Sequence, residues 1–86
     1  MAYFVYMLEC ADNTLYVGYT TDVAKRLVQH NSAKAGAKYT KTRRPVVLKY
    51  QEKLKTLSEA LTREYEIKSW QRTKKLELIK PRKPKI

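Results

Sequence analysis

Eighty-six residues with 43% hydrophobic side chains suffice for one small domain and exclude both wholesale disorder and a two-domain chain. Nineteen lysines and arginines against eight acidic residues give a formal charge of +11, which predicts attraction to polyanions, nucleic acid first and anionic membrane surfaces second. Membrane attachment is not expected, because no apolar run approaches the roughly 18–20 residues of a spanning helix. The N-terminus lacks a basic segment ahead of an apolar core, so no signal peptide is expected either. Cys10 is the single cysteine, which excludes an internal disulfide or a zinc cluster and makes a reducing cytoplasm the expected setting.

In chain order, residues 3–9 are β-branched and aromatic without Gly or Pro, and read as a first strand. Ala11-Asp12-Asn13 is a turn cluster, and residues 14–19 read as the second strand of a hairpin. Alternation places Phe4, Tyr6 and Leu8 on one face of the first strand, and Thr14, Tyr16 and Gly18 on one face of the second. Tyr6 and Tyr16 are therefore candidates to meet across the hairpin. Thr20 or Thr21 is the expected helix N-cap, with Asp22 in the first turn and the helix running to about residues 32–34. With Val23 as origin, Leu27 lies near about 40°, His30 near about −20° and Arg26 near about −60°. Arg26 and His30 thus share a helical face beside the stripe that meets the sheet. Two readings stand: the guanidinium and imidazole form an anion site against the Tyr-bearing strands, or Arg26 is a surface cation and His30 a satisfied, half-buried histidine.

A small-residue, basic loop follows, in which Lys34, Lys38, Lys41, Arg43 and Arg44 bracket Tyr39. Phosphate contact is its functional reading and a solvated loop the plain one. Residues 46–51 read as a third strand, started after Pro45. Thr56 and Glu59 have capping-box spacing and open a second helix over about residues 57–74, on which Tyr65 and Trp70 read as packing residues. Residues 1–79 form the expected domain, and residues 80–86, with two prolines and four cations, an extended polybasic tail.

The second helix carries one anomaly. Its expected core face is Leu57, Ala60, Leu61 and Ile67, and Glu64 falls about 20° from Leu57, near the middle of that stripe. A buried carboxylate must be paired or hold a cation. A salt bridge to Arg26 or Lys68 is one resolution, and a metal ion held against the first helix is the other. One hard carboxylate with open water positions suits Mg2+ or Mn2+, whereas zinc wants more His and Cys than this chain owns. Phosphodiester cleavage needs a deprotonated water, charge stabilisation on phosphoryl oxygens and help for the leaving oxygen. Tyr6, Tyr16, Arg26, His30, Tyr39 and Glu64 supply the matching types: a Tyr/His base, an Arg clamp and a metal-binding carboxylate. A tyrosine with a pKa near about 10 is a poor base at neutral pH. Neighbouring cations are therefore expected to lower it. Lys68 joins the loop cations as a candidate phosphate contact.

The ordered set resembles the GIY-YIG endonuclease superfamily over about residues 3–72. Phe4-Val5-Tyr6 sits at the first signature tripeptide, with Phe4 in place of its Gly, and Tyr16-Val17-Gly18 at the second. Arg26 is similar to the superfamily's helix arginine, His30 to a histidine one turn later, Glu64 to its metal-binding glutamate and Tyr39 to a further active-site tyrosine. The likeness is to short single-domain bacterial members, and also to the nuclease domain of eukaryotic structure-selective resolvases. It implies an α+β fold, a small three-stranded antiparallel sheet flanked by helices, and Mg2+-dependent hydrolysis of DNA at one metal site. By that analogy Tyr6 is the general base, Tyr16 and His30 position it or the water, Arg26 stabilises the phosphate and Glu64 holds the metal. Characterised relatives attach this module to DNA-binding domains or partner subunits, so a branched or flapped DNA and a protein partner supplying specificity are the expected partners. The alternative is a nucleic-acid-binding protein with a vestigial or partner-dependent site, which needs the cations but not Tyr6 or Glu64.

Overall fold

In a computed structural model, which describes residues 2–32 and 42–79, β1 (Tyr3–Glu9) is the central strand of an antiparallel sheet. β2 (Leu15–Thr20) and β3 (Val47–Leu54) flank it in the order β2–β1–β3. Helices α1 (Val23–His30), α2 (Leu57–Lys68) and α3 (Arg72–Ile79) complete the described chain as an α+β fold. The polybasic tail lies outside the described residues, and none of the described helices is long and apolar enough to cross a membrane.

Val5, Tyr6, Met7 and Leu8 are buried in succession, because β1 is covered on both faces. On one face Val5 and Met7 pack with Val17, Ala60 and Ile67, and Trp70, Leu78 and Ile79 close over them. On the other, Tyr6, Leu8 and Cys10 pack with Val46, flanked by Tyr16, Leu27 and Leu48. The first face is an apolar core under α2 and α3; the second, under α1, carries the polar groups. Cys10 is buried and its burial pushes the thiol pKa up, as suits a core residue rather than a nucleophile.

Three local features depart from the sequence expectation. The N-cap of α1 is Asp22, whose carboxylate accepts from Lys25 N at 3.0 Å, because β2 extends through Thr20 and Thr20 Oγ1 instead accepts from Asp22 N at 3.2 Å. α1 ends at His30, earlier than expected, since the Asn31 side chain is spent on another segment: Val46 N donates to Oδ1 at 2.8 Å and Nδ2 donates to Val46 O at 3.1 Å. β3 runs on to Leu54, and its register slips between Met7 and Leu8, which face Tyr50 and Leu48 respectively. Lys49 is the extra residue of that bulge, so Leu48 serves the α1 face while Tyr50 and Leu54 serve the other.

The expected single helix over 57–74 is two helices. Its capping box forms as read, with Glu59 N donating to Thr56 Oγ1 at 3.1 Å. It stops at Lys68 because Ser69 Oγ donates to Glu66 O at 2.6 Å, giving the backbone a local alternative to the next helical bond. The break lets Trp70, Leu78 and Ile79 fold back onto the core. The buried stripe of α2 is also rotated: Ala60 and Ile67 are fully buried, while Leu57 and Leu61 are exposed. Glu64 consequently sits on the flank of the stripe rather than at its middle, and Tyr65, 76% exposed, is not a packing residue.

Candidate active site

Tyr6 lies opposite Gly18 in the β1–β2 ladder, and Leu8 lies opposite Tyr16. The two tyrosines therefore meet on a diagonal, with ring centroids 6.3 Å apart. Gly18 is required for this. A Cβ there would lie 2.7 Å from Tyr6 Oη, 2.8 Å from Tyr6 Cζ and 3.1 Å from Tyr16 Cε2, so the Tyr6 phenol occupies the space that any other residue would fill.

α1 brings His30 onto the same ground. Its Nε2 is 2.7 Å from Tyr6 Oη, and its ring stands edge-on to Tyr6 and Tyr16 at 5.8 and 5.0 Å. Burial, with the Arg26 and Arg44 cations beside it, pushes the His30 pKa down to about 4. The imidazole is neutral at pH 7 and offers a lone pair. Burial first, then the neighbouring Tyr16 phenol and the Glu64 carboxylate, pushes the Tyr6 pKa up to about 12, against the opposing hydrogen bond and charge of Arg26. The phenol therefore keeps its proton and donates it to Nε2. The expectation that cations lower Tyr6 is corrected here: Arg26 does pull it down, but desolvation outweighs one guanidinium.

Arg26 is half-buried, donates to Gln29 Oε1 at 3.0 Å, and is the cation that faces both Tyr6 and His30. Glu64 reaches Tyr6 through space from α2. Of the pairings open in sequence, Lys68 is the one formed, Nζ to Oε1 at 3.5 Å, with the lysine about half exposed and the carboxylate 17% exposed. That loose, solvent-side pair engages Oε1, and no bond among the described residues engages Oε2. Among the described residues no three His, Cys, Asp or Glu side chains gather as a metal cluster. A lone carboxylate with one uncommitted oxygen fits a hard divalent cation that draws its other ligands from water and substrate, and does not fit zinc.

Six of the expected site residues thus fall in two groups: Tyr6, Tyr16, Arg26, His30 and Glu64 converge, and Lys68 accompanies Glu64. Tyr39, Lys34, Lys38 and Lys41 lie outside the described residues. Arg43 and Arg44 are bound to the fold itself. Arg43 Nε donates to Asp12 Oδ2 at 3.1 Å and its carbonyl accepts from Ala11 N at 2.9 Å, which ties it to the β1–β2 turn. Arg44 Nε donates to His30 O at 2.7 Å, just ahead of a cis Arg44–Pro45 peptide. Sequence reasoning missed the Asn31–Val46 clasp and the Arg44–His30 contact. The Asn after His30 at a helix end was the available signal for the first; nothing local signals the second.

The comparisons with known proteins agree with this geometry. The GIY-YIG catalytic domain profile matches residues 2–77. A UPF0213 protein of Staphylococcus haemolyticus is 58% identical over 80 residues, 93% of this chain and 96% of the relative. A UPF0213 protein of Staphylococcus aureus is 58% identical over 81 residues, 94% and 98% of the two chains. Among solved structures, the solution NMR structure of a UPF0213 protein from Bacillus halodurans is 46% identical with a TM-score of 0.59, covering 92% of this chain and 83% of that one. A second NMR structure, from E. faecalis, is 38% identical with a TM-score of 0.62, covering 90% and 81%. Matched across nearly its whole length, and carrying the Tyr, Arg, His and Glu set in one place, this chain belongs to the GIY-YIG nuclease superfamily.

Proposed function

We propose that this protein is a divalent-metal-dependent DNA endonuclease that hydrolyses phosphodiester bonds and selects its substrate by structure rather than by sequence. The observation that carries the reading is the Tyr6–His30 hydrogen bond, with Arg26 and Glu64 acting on the same phenol.

Ionising Tyr6 outright at neutral pH opposes a value of about 12, roughly five powers of ten, whereas protonating His30 opposes a value of about 4, roughly three. The smaller barrier favours a relay. The attacking water gives its proton to Tyr6 Oη as the Tyr6 proton passes to His30 Nε2; the water oxygen bonds to phosphorus and the ester oxygen leaves, taking a proton from solvent. An incoming phosphodiester also places negative charge against Arg26, which offsets one of the two cations that add to burial in holding His30 neutral. Arg26 then stabilises charge on the phosphoryl oxygens. Glu64 would hold Mg2+ or Mn2+, which when bound supplies Lewis-acid neutralisation of the phosphoryl group. The +11 charge provides sequence-independent attraction to DNA, and a partner protein would add specificity.

The test is incubation of the purified protein with labelled single-stranded, duplex, flapped and branched DNAs plus Mg2+ or Mn2+, beside Glu64→Ala. Cleavage that disappears in the variant supports the assignment and ranks the substrates. Full activity in Glu64→Ala sinks the metal role, and binding without cleavage by both proteins moves the reading to a nucleic-acid-binding module or a partner-dependent enzyme.

A further inference from the structure

The ion pairs of the described residues join Asp12 to Arg43, Glu9 to Lys49, Glu52 and Glu66 to Arg63, and Glu64 to Lys68. Arg44 takes part in none of them. Its Nε bonds the His30 carbonyl at 2.7 Å, and its second terminal nitrogen is buried without a hydrogen-bond partner among the described residues. An uncompensated guanidinium with one nitrogen closed off from water is unfavourable on its own account. A need to fasten this segment to α1 does not explain it, because Asn31 already makes two bonds to the Val46 backbone. Any neutral donor would serve the carbonyl as well. What an arginine adds at this place is a positive charge held at the His30 backbone, from where it acts on the imidazole.

Among the described residues, the groups that face His30 include Tyr6 from β1, Tyr16 from β2, Arg26 from its own helix and Arg44 from the segment leading into β3. The two charges that act on it from these residues are both cationic. They divide the work by position: Arg26 also faces Tyr6, where substrate phosphate would meet it, whereas Arg44 is committed to the His30 backbone.

We propose that Arg44 is a positioning residue, whose charge and backbone bond together hold His30 in place and in the form that accepts the Tyr6 hydroxyl. The assignment rests on the reading of Tyr6 and His30 as the reactive pair. It assigns Arg44 to the interior of the site, in place of the DNA-contacting surface. The field of Arg44 stays constant through a reaction cycle, while that of Arg26 is offset whenever phosphate arrives.

His30 is the only histidine in the chain, so its imidazole can be followed unambiguously by NMR titration of the full-length protein. The wild type is expected to titrate near about 4. Arg44→Gln keeps a donor and loses the charge; it is expected to raise the proton affinity of His30 by about tenfold, one pKa unit. Arg44→Lys is expected to return the midpoint to the wild-type range. Asn31→Ala, which loosens the segment but keeps the charge, is expected to lower stability and leave the midpoint in place. A wild-type midpoint at the ordinary value, an unmoved midpoint in a folded Arg44→Gln, a failure of Arg44→Lys to restore it, or an equal shift in Asn31→Ala each overturns the proposal. If Arg44→Gln does not fold, Arg44→Met supplies the charge-free side chain, and the same comparison with Arg44→Lys and Asn31→Ala decides it. The titration reads His30 whether or not DNA is cut. An inactive protein with an Arg44-dependent midpoint refutes the nuclease reading alone, and an active one with an Arg44-independent midpoint refutes this assignment alone.

Discussion

The two faces of β1 are built from alternate residues of one strand and do opposite work. Val5 and Met7 point into a core of Val17, Ala60 and Ile67. Tyr6, the residue between them, points to a histidine, a second tyrosine and a guanidinium. The apolar face gains from every atom removed from water. The polar face keeps a phenol and an imidazole in their neutral forms, away from bulk solvent, where their proton affinities are far from ordinary. Stability and chemistry are therefore separable at single-residue spacing, and substitutions on the two faces should separate them in experiment.

The largest effect expected is on cleavage. Tyr6→Phe keeps the ring over Gly18 and removes the hydroxyl, so the proposed relay has no first acceptor. Turnover should fall by about 10²–10⁴-fold, the usual weight of a positioned acid or base. Stability should drop by only about 1–2 kcal/mol, from the unpaired Nε2 left behind. Single-turnover cleavage and a urea melt on the same sample check both halves. Ile67→Ala should do the reverse: a stability loss of about 2–5 kcal/mol from the fully buried site, with cleavage per folded molecule little changed. If the two variants show the same ratio of activity loss to stability loss, the division between faces is wrong.

Gly18→Ala tests the boundary. The added methyl would sit 2.7 Å from Tyr6 Oη, and the ring it must displace is buried, so the Tyr6–His30 bond should lengthen or break. Activity should approach that of Tyr6→Phe, with about 1–3 kcal/mol of strain, or roughly 4–24 °C in Tm at 4–8 °C per kcal/mol for a domain of this size. Unchanged activity would mean that the phenol is free to move, contrary to its burial.

What could be read in the sequence is what local periodicity and local caps decide. The first strand, the Thr56–Glu59 box and the shared face of Arg26 and His30 depend on neighbours within a turn or a pleat, and they form as read, with the second strand shifted by one residue. What could not be read depends on distant pairing. The bulge at Lys49 is set by β1, the early end of α1 by Val46, and the inward turn of Arg44 by the His30 carbonyl. Glu64 was recognisable as a misplaced carboxylate, but its position on the flank follows from how Ala60 and Ile67 seat α2 on the sheet. The charges of Tyr6 and His30 likewise follow from burial, which composition does not report.

The gentlest perturbation, and the most direct comparison of folded with unfolded chemistry, is a change of pH alone. His30 has a folded value of about 4 against an ordinary 6.5, so between those values the unfolded chain binds a proton that the folded protein refuses. Stability should be level above about pH 6.5 and decline as pH falls toward 4, by on the order of 3 kcal/mol. Tyr6 acts at the other end: its folded value of about 12 against 10.0 means stability is lost as pH rises through that window. Asp12, lowered by its bonds to Thr14, loses its contribution only below its ordinary 3.8 and does not overlap the His30 window. Chemical melts at pH 7 and 4.5 on the wild type and His30→Gln isolate the histidine. The wild type should lose stability between the two and the variant should lose much less. A parallel decline in both would assign the acid sensitivity to the carboxylates and return His30 to an ordinary value.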